Sequence, residues 1–179
     1  MKKAILIILG ILIVAGVSFG IVYLWQKNIV EKEVQRIYKN QKWGFQFQYP
    51  ANYTLDTTYE SQGYIHLYDN ATYEAIKQGK IIEGAPTIQF SAYDNPDKLS
   101  ALEWAQKNTG QSNFSGEYKT IQVDNKNAMS YSWIGMGGGD TILLVSDDLK
   151  YIYSFDVMYI NENNRIKSDF LQIVKTIKF

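Results

Sequence analysis

The chain has 179 residues, with 18 basic against 18 acidic side chains, one histidine and no cysteine. Without cysteine it has no disulfide, thiolate nucleophile, cysteine-ligated metal or lipid-modified cysteine, and without a basic excess it carries no electrostatic footprint for nucleic acid. Once an apolar N-terminal segment is set aside, about 150 residues remain, enough for one domain with a sizeable core.

Between Lys3 and Lys27 run 23 uncharged residues, Ala4 to Gln26, of which 14 are Leu, Ile, Val or Phe. As a helix they span about 34 Å against a hydrocarbon core of about 30 Å, so 4–26 is predicted to cross a lipid bilayer. Ala15, Gly16, Ser18 and Gly20 behind Lys2 and Lys3 also fit a cleaved signal peptide. The apolar run, however, continues through Ile21, Val22, Tyr23, Leu24 and Trp25, beyond the usual stretch of about 7–15 residues. Lys2 and Lys3 orient a leader, 1–3, to the cytoplasm and the rest of the chain to the extracellular side of the cell membrane. The remainder then holds 16 basic and 18 acidic residues, so the zero net charge is the sum of two unlike parts.

Val30, Val34, Ile37 and Tyr38 recur at helical spacings, which predicts a helical stalk over 27–42. Gly16, Gly20, Tyr23, Lys27, Val30, Val34 and Ile37 alternate steps of four and three, a coiled-coil seam with a GxxxG at its membrane end. A homodimer through Gly16 and Gly20 is one expectation. Ordinary membrane glycines are the other, favoured by Lys27 within the seam.

From Trp43 the period switches to two. Phe45, Phe47 and Tyr49 alternate with glutamines up to Pro50 and predict a half-buried strand; Tyr53–Tyr59 and Tyr64–Tyr68 are predicted strands as well. Asp69, Asn70, Gly79, Gly84 and Pro86 mark a long, partly irregular connection before a strand over Thr87–Tyr93. Ser100 and Glu103 form a capping-box spacing that opens a helix over Leu99–Asn108. Strands Tyr118–Val123, Ala128–Ile134, Thr141–Ser146 and Tyr151–Tyr159 follow as a meander with turns at Asp124-Asn125, Gly137–Gly139 and Asp147-Asp148. A helix over Asn164–Lys175 closes the chain. The run Ile142 to Val145 predicts a strand covered on both faces, hence an α+β domain over 43–179 in which helices flank an antiparallel β-sheet.

The segment Gly44-Phe45-Gln46-Phe47-Gln48-Tyr49-Pro50 with Tyr53, the helix Ser100-Ala101-Leu102-Glu103-Trp104-Ala105, the hairpin Ile121 to Ala128 and the terminus Phe170 to Phe179 together resemble a PsbP-like domain. The resemblance spans Trp43 to Phe179 and rests on the order of several weak motifs. It implies an α/β/α sandwich, a scaffold used by photosystem II extrinsic subunits, by a nuclear transport factor and by exported bacterial proteins. A shared scaffold does not fix function, and no metal or partner residue carries over.

Nucleophilic catalysis needs a base beside its nucleophile, and the single His66, between Tyr64 and Tyr68, reads as a structural or surface residue. Asx clusters at Asp94-Asn95-Asp97, Asp124-Asn125-Asn127 and Asp147-Asp148 read as turns rather than cation loops. Gly135 to Asp140 lacks the lysine and following helix of a phosphate loop and reads as a flexible hairpin tip. No cofactor is implied. Asp156 is oddly placed in the last strand, since aspartate is disfavoured there. The aromatic excess, with Met129, Tyr131 and Trp133 on one strand face and Tyr151, Tyr153, Phe155 and Tyr159 on another, is mostly core. It also makes Tyr131, Trp133, Tyr151, Tyr153 and Asp156 candidates for a cleft that takes a glycan or peptide. The sequence therefore favours a membrane-anchored binding or assembly module without catalysis, its protein or glycan partner unidentified. A hydrolase using carboxylates around Asp156, or a structural protein dimerising through its stalk, are the alternatives.

Overall fold

The computed structural model describes residues 34–81, 83–108, 114–135, 137–161 and 164–179. The membrane helix expected over 4–26, the Gly16–Gly20 seam and the first part of the stalk lie outside these residues. Among the described residues no helix is long and apolar enough to cross a membrane. Gln35–Phe179 forms a compact unit with its own core.

The unit begins with a strand where a helix was expected. β1 (Gln35–Asn40) pairs antiparallel with β2 (Phe45–Pro50), so the predicted helical stalk 27–42 is corrected over Gln35–Asn40, and the compact unit starts ahead of Trp43. The reason lies in Tyr38 and Asn40, which alternate inward at period two. Tyr38 Oη donates to Glu60 Oε1 at 2.6 Å, while Asn40 Nδ2 donates to Glu60 and Asn40 Oδ1 accepts from the Trp43 amide at 2.8 Å. Ile37, which supplied the helical period, is 60 % exposed.

Seven further strands make one antiparallel sheet: β3 (Tyr53–Asp56), β4 (Tyr64–Asp69), β5 (Thr87–Asp94), β6 (Phe114–Val123), β7 (Lys126–Ile134), β8 (Gly138–Val145) and β9 (Tyr151–Tyr159). Their spatial order is β3-β4-β5-β9-β8-β7-β6. The strand expected over Tyr53–Tyr59 stops at Asp56, and a 3₁₀ turn at Glu60–Gln62 follows. The connection expected to be irregular contains α1 (Asn70–Lys77). Asp69, read as a turn residue, is its N-cap and accepts from the Thr72 amide at 3.0 Å. α2 (Ala101–Asn108) starts at the expected capping box, with Glu103 accepting from the Ser100 amide at 2.8 Å. α3 (Arg165–Val174) buries Ile166, Phe170, Ile173 and Val174.

The two faces of the sheet differ. One is covered by α3 and the β1–β2 hairpin around Phe47, Phe90, Phe155 and Phe170, with Phe47 and Phe90 stacked at 4.2 Å. The other carries a smaller cluster, where Ala105 of α2 meets Met129, Tyr131, Leu143 and Ile152, and α1 flanks β3 and β4 with Tyr73 6.2 Å from Tyr68. β8 is buried by both faces, which explains its unbroken apolar run. Helices on both faces of an antiparallel sheet make this an α+β layered domain. Asp124 and Asn125, at φ 48° and 62°, form the two-residue turn of the β6–β7 hairpin.

Gly137–Gly139 is not a loose tip. Gly138 and Gly139 belong to β8, each the seat of an aromatic ring from a different face. An added Cβ on Gly138 would lie 2.5 Å from the Tyr159 ring, and one on Gly139 would overlap the Trp133 indole.

Candidate functional site

The open face of the sheet bears a transverse row that no single stretch of sequence displays. In β-pairing register, Asp56 lies opposite His66, His66 opposite Gln89, Gln89 opposite Asp156, Asp156 opposite Thr141 and Thr141 opposite Tyr131. Directly paired residues point to the same face, so six polar or amphipathic side chains from six strands stand in line. Of these, His66, Gln89 and Asp156 stay partly exposed, whereas their chain neighbours Ile65, Leu67, Ile88, Phe90, Phe155 and Val157 are wholly buried on the opposite face.

Asp156 is the centre of this row. Its Oδ1 accepts from Thr141 Oγ1 at 2.5 Å and its Oδ2 from Ser154 Oγ at 2.7 Å. Thr141 Oγ1 in turn accepts from the Trp133 indole Nε1 at 3.2 Å. Burial raises the Asp156 pKa, against the two hydroxyl donors that lower it. Tyr131, paired with Thr141 across β7 and β8, is 8 % exposed and has its phenol pushed up to about 12, chiefly by burial. Trp133 is held in place from below by the missing side chain of Gly139.

Further along the row, the ring nitrogen Nε2 of His66 meets Gln89 Oε1 at 3.0 Å, and Gln89 Nε2 donates to Ser91 Oγ at 2.8 Å. Burial lowers the His66 pKa, and Nδ1 is enclosed without a hydrogen-bond partner. The ring stacks on Tyr68 at 5.7 Å and stands edge-on to Tyr64 at 5.6 Å, which places His66 in the middle of the β4 segment of the row. Two partly exposed aromatic pairs border the floor, Tyr59 with Tyr64 at 5.3 Å and Tyr93 with Trp104 at 5.0 Å.

Of the five candidate cleft residues, the structure brings Tyr131, Trp133 and Asp156 together. It puts Tyr151 and Tyr153 on the opposite face, because odd-numbered residues of β9 point to the main core. Tyr153 is 4 % exposed and donates to the Trp43 carbonyl at 2.7 Å; it braces the domain rather than lining the row. Sequence reasoning missed Asp56, Gln89, Thr141 and Ser154. The available signal was polar residues recurring on one side of otherwise apolar strands, as with Gln89 and Ser91 in Thr87–Asp94. The Asx turns are occupied locally: Asp97 pairs with Lys107, Asp147 with Lys126 and Asp124 with Lys178. No metal-binding group of three or more His, Asp or Glu occurs among the described residues.

The fold is an α+β sandwich, and the row holds one central carboxyl, Asp156, which accepts from the hydroxyls of Thr141 and Ser154. A family model described as PsbP-like protein matches residues 5–179, and the chain belongs to that family. The solution structure of cyanobacterial PsbP (CyanoP) from Synechocystis sp. PCC 6803 superposes with a TM-score of 0.52 at 14 % identity, covering 84 % of this chain and 95 % of that one; the likeness is one of fold. Among proteins of curated function, none matches the chain.

Proposed function

We propose that this protein is a membrane-anchored, extracytoplasmic binding and assembly module that takes a glycan or peptide ligand along the Asp156 row and performs no catalysis. The observation that carries the reading is the row itself: hydrogen-bonding side chains left partly open on a sheet face, bordered by aromatic rings. Aromatic faces with a few convergent polar groups suit sugar rings and peptide amides. The apolar segment 4–26 supports the anchor, and the family match begins inside that segment.

The hydrolase alternative fits less well. Glycoside hydrolysis needs two carboxyl groups within about 5–9.5 Å of one another. Asp56, the other carboxylate of the row, stands three strands away from Asp156, about 14 Å at the usual strand spacing of about 4.8 Å.

Absence of native cysteine makes the topology directly testable. A single cysteine at exposed Lys150 should react in intact cells with a membrane-impermeant maleimide, and one at Lys2 should react only after lysis. Equal protection of both sites contradicts the anchored, exported arrangement. For the ligand, soluble cell-wall glycan fragments and short peptides should perturb Trp133 fluorescence. Loss of that response in Asp156→Asn with the fold retained supports the row, and an unchanged response removes it.

A further inference from the structure

Asp156 is a carboxyl without a counter-ion. By β-pairing register, the open face takes alternate residues from β3, β4, β5, β9, β8 and β7, and the charged groups these strands turn to it are Asp56 and Asp156, with no lysine or arginine. The helices over this face give their lysines to carboxylates of their own, Lys77 to Glu74 at 3.8 Å and Lys107 to Asp97 at 2.6 Å. Lys80 and Lys98 stand in the loops after α1 and before α2. Among the described residues Asp156 forms no ion pair.

Its position carries a cost that the chain does not return. A carboxylate drawn into a folded domain is ordinarily matched by a cation. Here it has the hydroxyls of Thr141 and Ser154 instead, and burial outweighs them. Asparagine would keep an oxygen acceptor and the packing without that cost. The missing partner is a positive charge, and a ligand on the open side of the sheet can bring it.

The surroundings select the kind of cation. Aromatic side chains flank the carboxyl: the Trp133 indole, whose Nε1 donates to Thr141 at 3.2 Å, and the phenols of Tyr93 and Tyr131, both raised in pKa by burial first and, among charges, most by Asp156. Tyr93 in turn lies 5.0 Å from Trp104. Such rings attract a cation and accept the apolar stem that carries it. Each oxygen of Asp156 already accepts one hydrogen bond, so part of each remains open. A compact ammonium needs a single oxygen, whereas a guanidinium fork is matched to both at once. Because Asp156 is only partly exposed, the ammonium must also arrive on a slender stem. A lysine side chain has one; an amino sugar, with its amine directly on the ring, does not.

We propose that Asp156 recognises a lysine side chain of a peptide ligand, with the ammonium on the open part of the carboxyl and the methylene stem along Trp133 and Tyr93. This rests on the row being a ligand surface and adds what that surface selects.

The test uses residues 35–179, which form a compact unit with their own core. Capped peptides Gly-Ser-Xaa-Ser-Gly, with lysine, Nε-acetyllysine, norleucine, arginine or glutamate at Xaa, are titrated to millimolar concentration, and glucosamine is titrated beside them. The NMR signal of the Trp133 indole N–H reports binding. The lysine peptide should bind about tenfold or more tightly than its acetyllysine and norleucine counterparts, the effect of one charge-assisted hydrogen bond. Asp156→Asn, which relieves a buried carboxyl and keeps the fold, should abolish that preference, and Asp56→Asn should preserve it. Lysine and norleucine peptides of equal affinity overturn the proposal while leaving the row a ligand surface. So do an arginine or glutamate peptide that binds as well as lysine, glucosamine bound in place of peptide, or a lysine preference that survives Asp156→Asn. No response along the row to any of these probes overturns the proposal, and if cell-wall glycan fragments also leave the row unchanged, the reading it rests on falls with it.

Discussion

Replacing Gly139 by alanine separates a flexible tip from a seat for Trp133. An added Cβ falls within the indole, whereas ordinary carbon contacts lie at about 3.5–4.0 Å, so the ring must move by more than about 1 Å. Such overpacking costs about 1–3 kcal/mol. Movement also breaks the Trp133 Nε1 to Thr141 hydrogen bond, a further loss of about 0.5–1.5 kcal/mol. A total near 2–4 kcal/mol is a large share of the roughly 5–15 kcal/mol that holds a domain together, and should lower its melting midpoint by about 5–15 °C. Urea unfolding followed by tryptophan fluorescence measures the change. Gly135 is the control: a Cβ there would meet Trp133 only at 3.6 Å, an ordinary contact, so Gly135→Ala should stay within about 0.5 kcal/mol of the parent. In a Trp133→Ala background, Gly139→Ala should lose most of its effect. Gly139→Ala no more destabilising than Gly135→Ala, or equally destabilising without Trp133, refutes the seat.

Other consequences follow from the same geometry. Burial raises the Asp156 pKa above the ordinary 3.8, so the folded state holds this proton more tightly than the unfolded chain does. The contribution to stability is complete at low pH and is lost as pH rises through the folded-state pKa. Asp156→Asn should therefore gain stability relative to the parent between pH 4 and pH 8 in urea titrations; a difference independent of pH contradicts this. Asn95→Ala removes three side-chain hydrogen bonds that join the Leu99 and Leu149 loops and should cost about 2–4 kcal/mol, with faster amide hydrogen exchange in both loops and not in β3 or β4. Ser100→Ala, which removes the α2 cap, should cost about 1 kcal/mol by thermal unfolding, and no loss contradicts the capping box.

Much of the domain was legible because its signals are local. Period two in Phe45–Pro50 and Tyr151–Tyr159, the capping box at Ser100 and the apolar stripe of α3 all lie within a few residues and need no partner to be read. The failures are where a partner decides. Gln35–Asn40 carries a helical spacing through Ile37, but Glu60 and the Trp43 amide, outside the segment, hold it as a strand. Asp69 reads equally as turn or cap until Thr72 is placed against it. Gly139 looks flexible until Trp133 arrives from the neighbouring strand. The site was half legible for the same reason. Strand parity alone separates Asp156 from Tyr151 and Tyr153, but the row joining Asp56, His66, Gln89 and Thr141 to it exists only once six strands are in register. Sequence gives each strand's faces but not which strands become neighbours.

The open row around Asp156 is proposed as the ligand surface. It is tested most directly by mapping backbone and side-chain NMR shifts of residues 35–179 during titration with soluble cell-wall glycan fragments and short peptides. Saturable shifts should concentrate at His66, Gln89, Thr141, Asp156 and the Trp133 indole and be lost in Asp156→Asn. Shifts confined to the α3 face, or none along the row for either ligand class, contradict it.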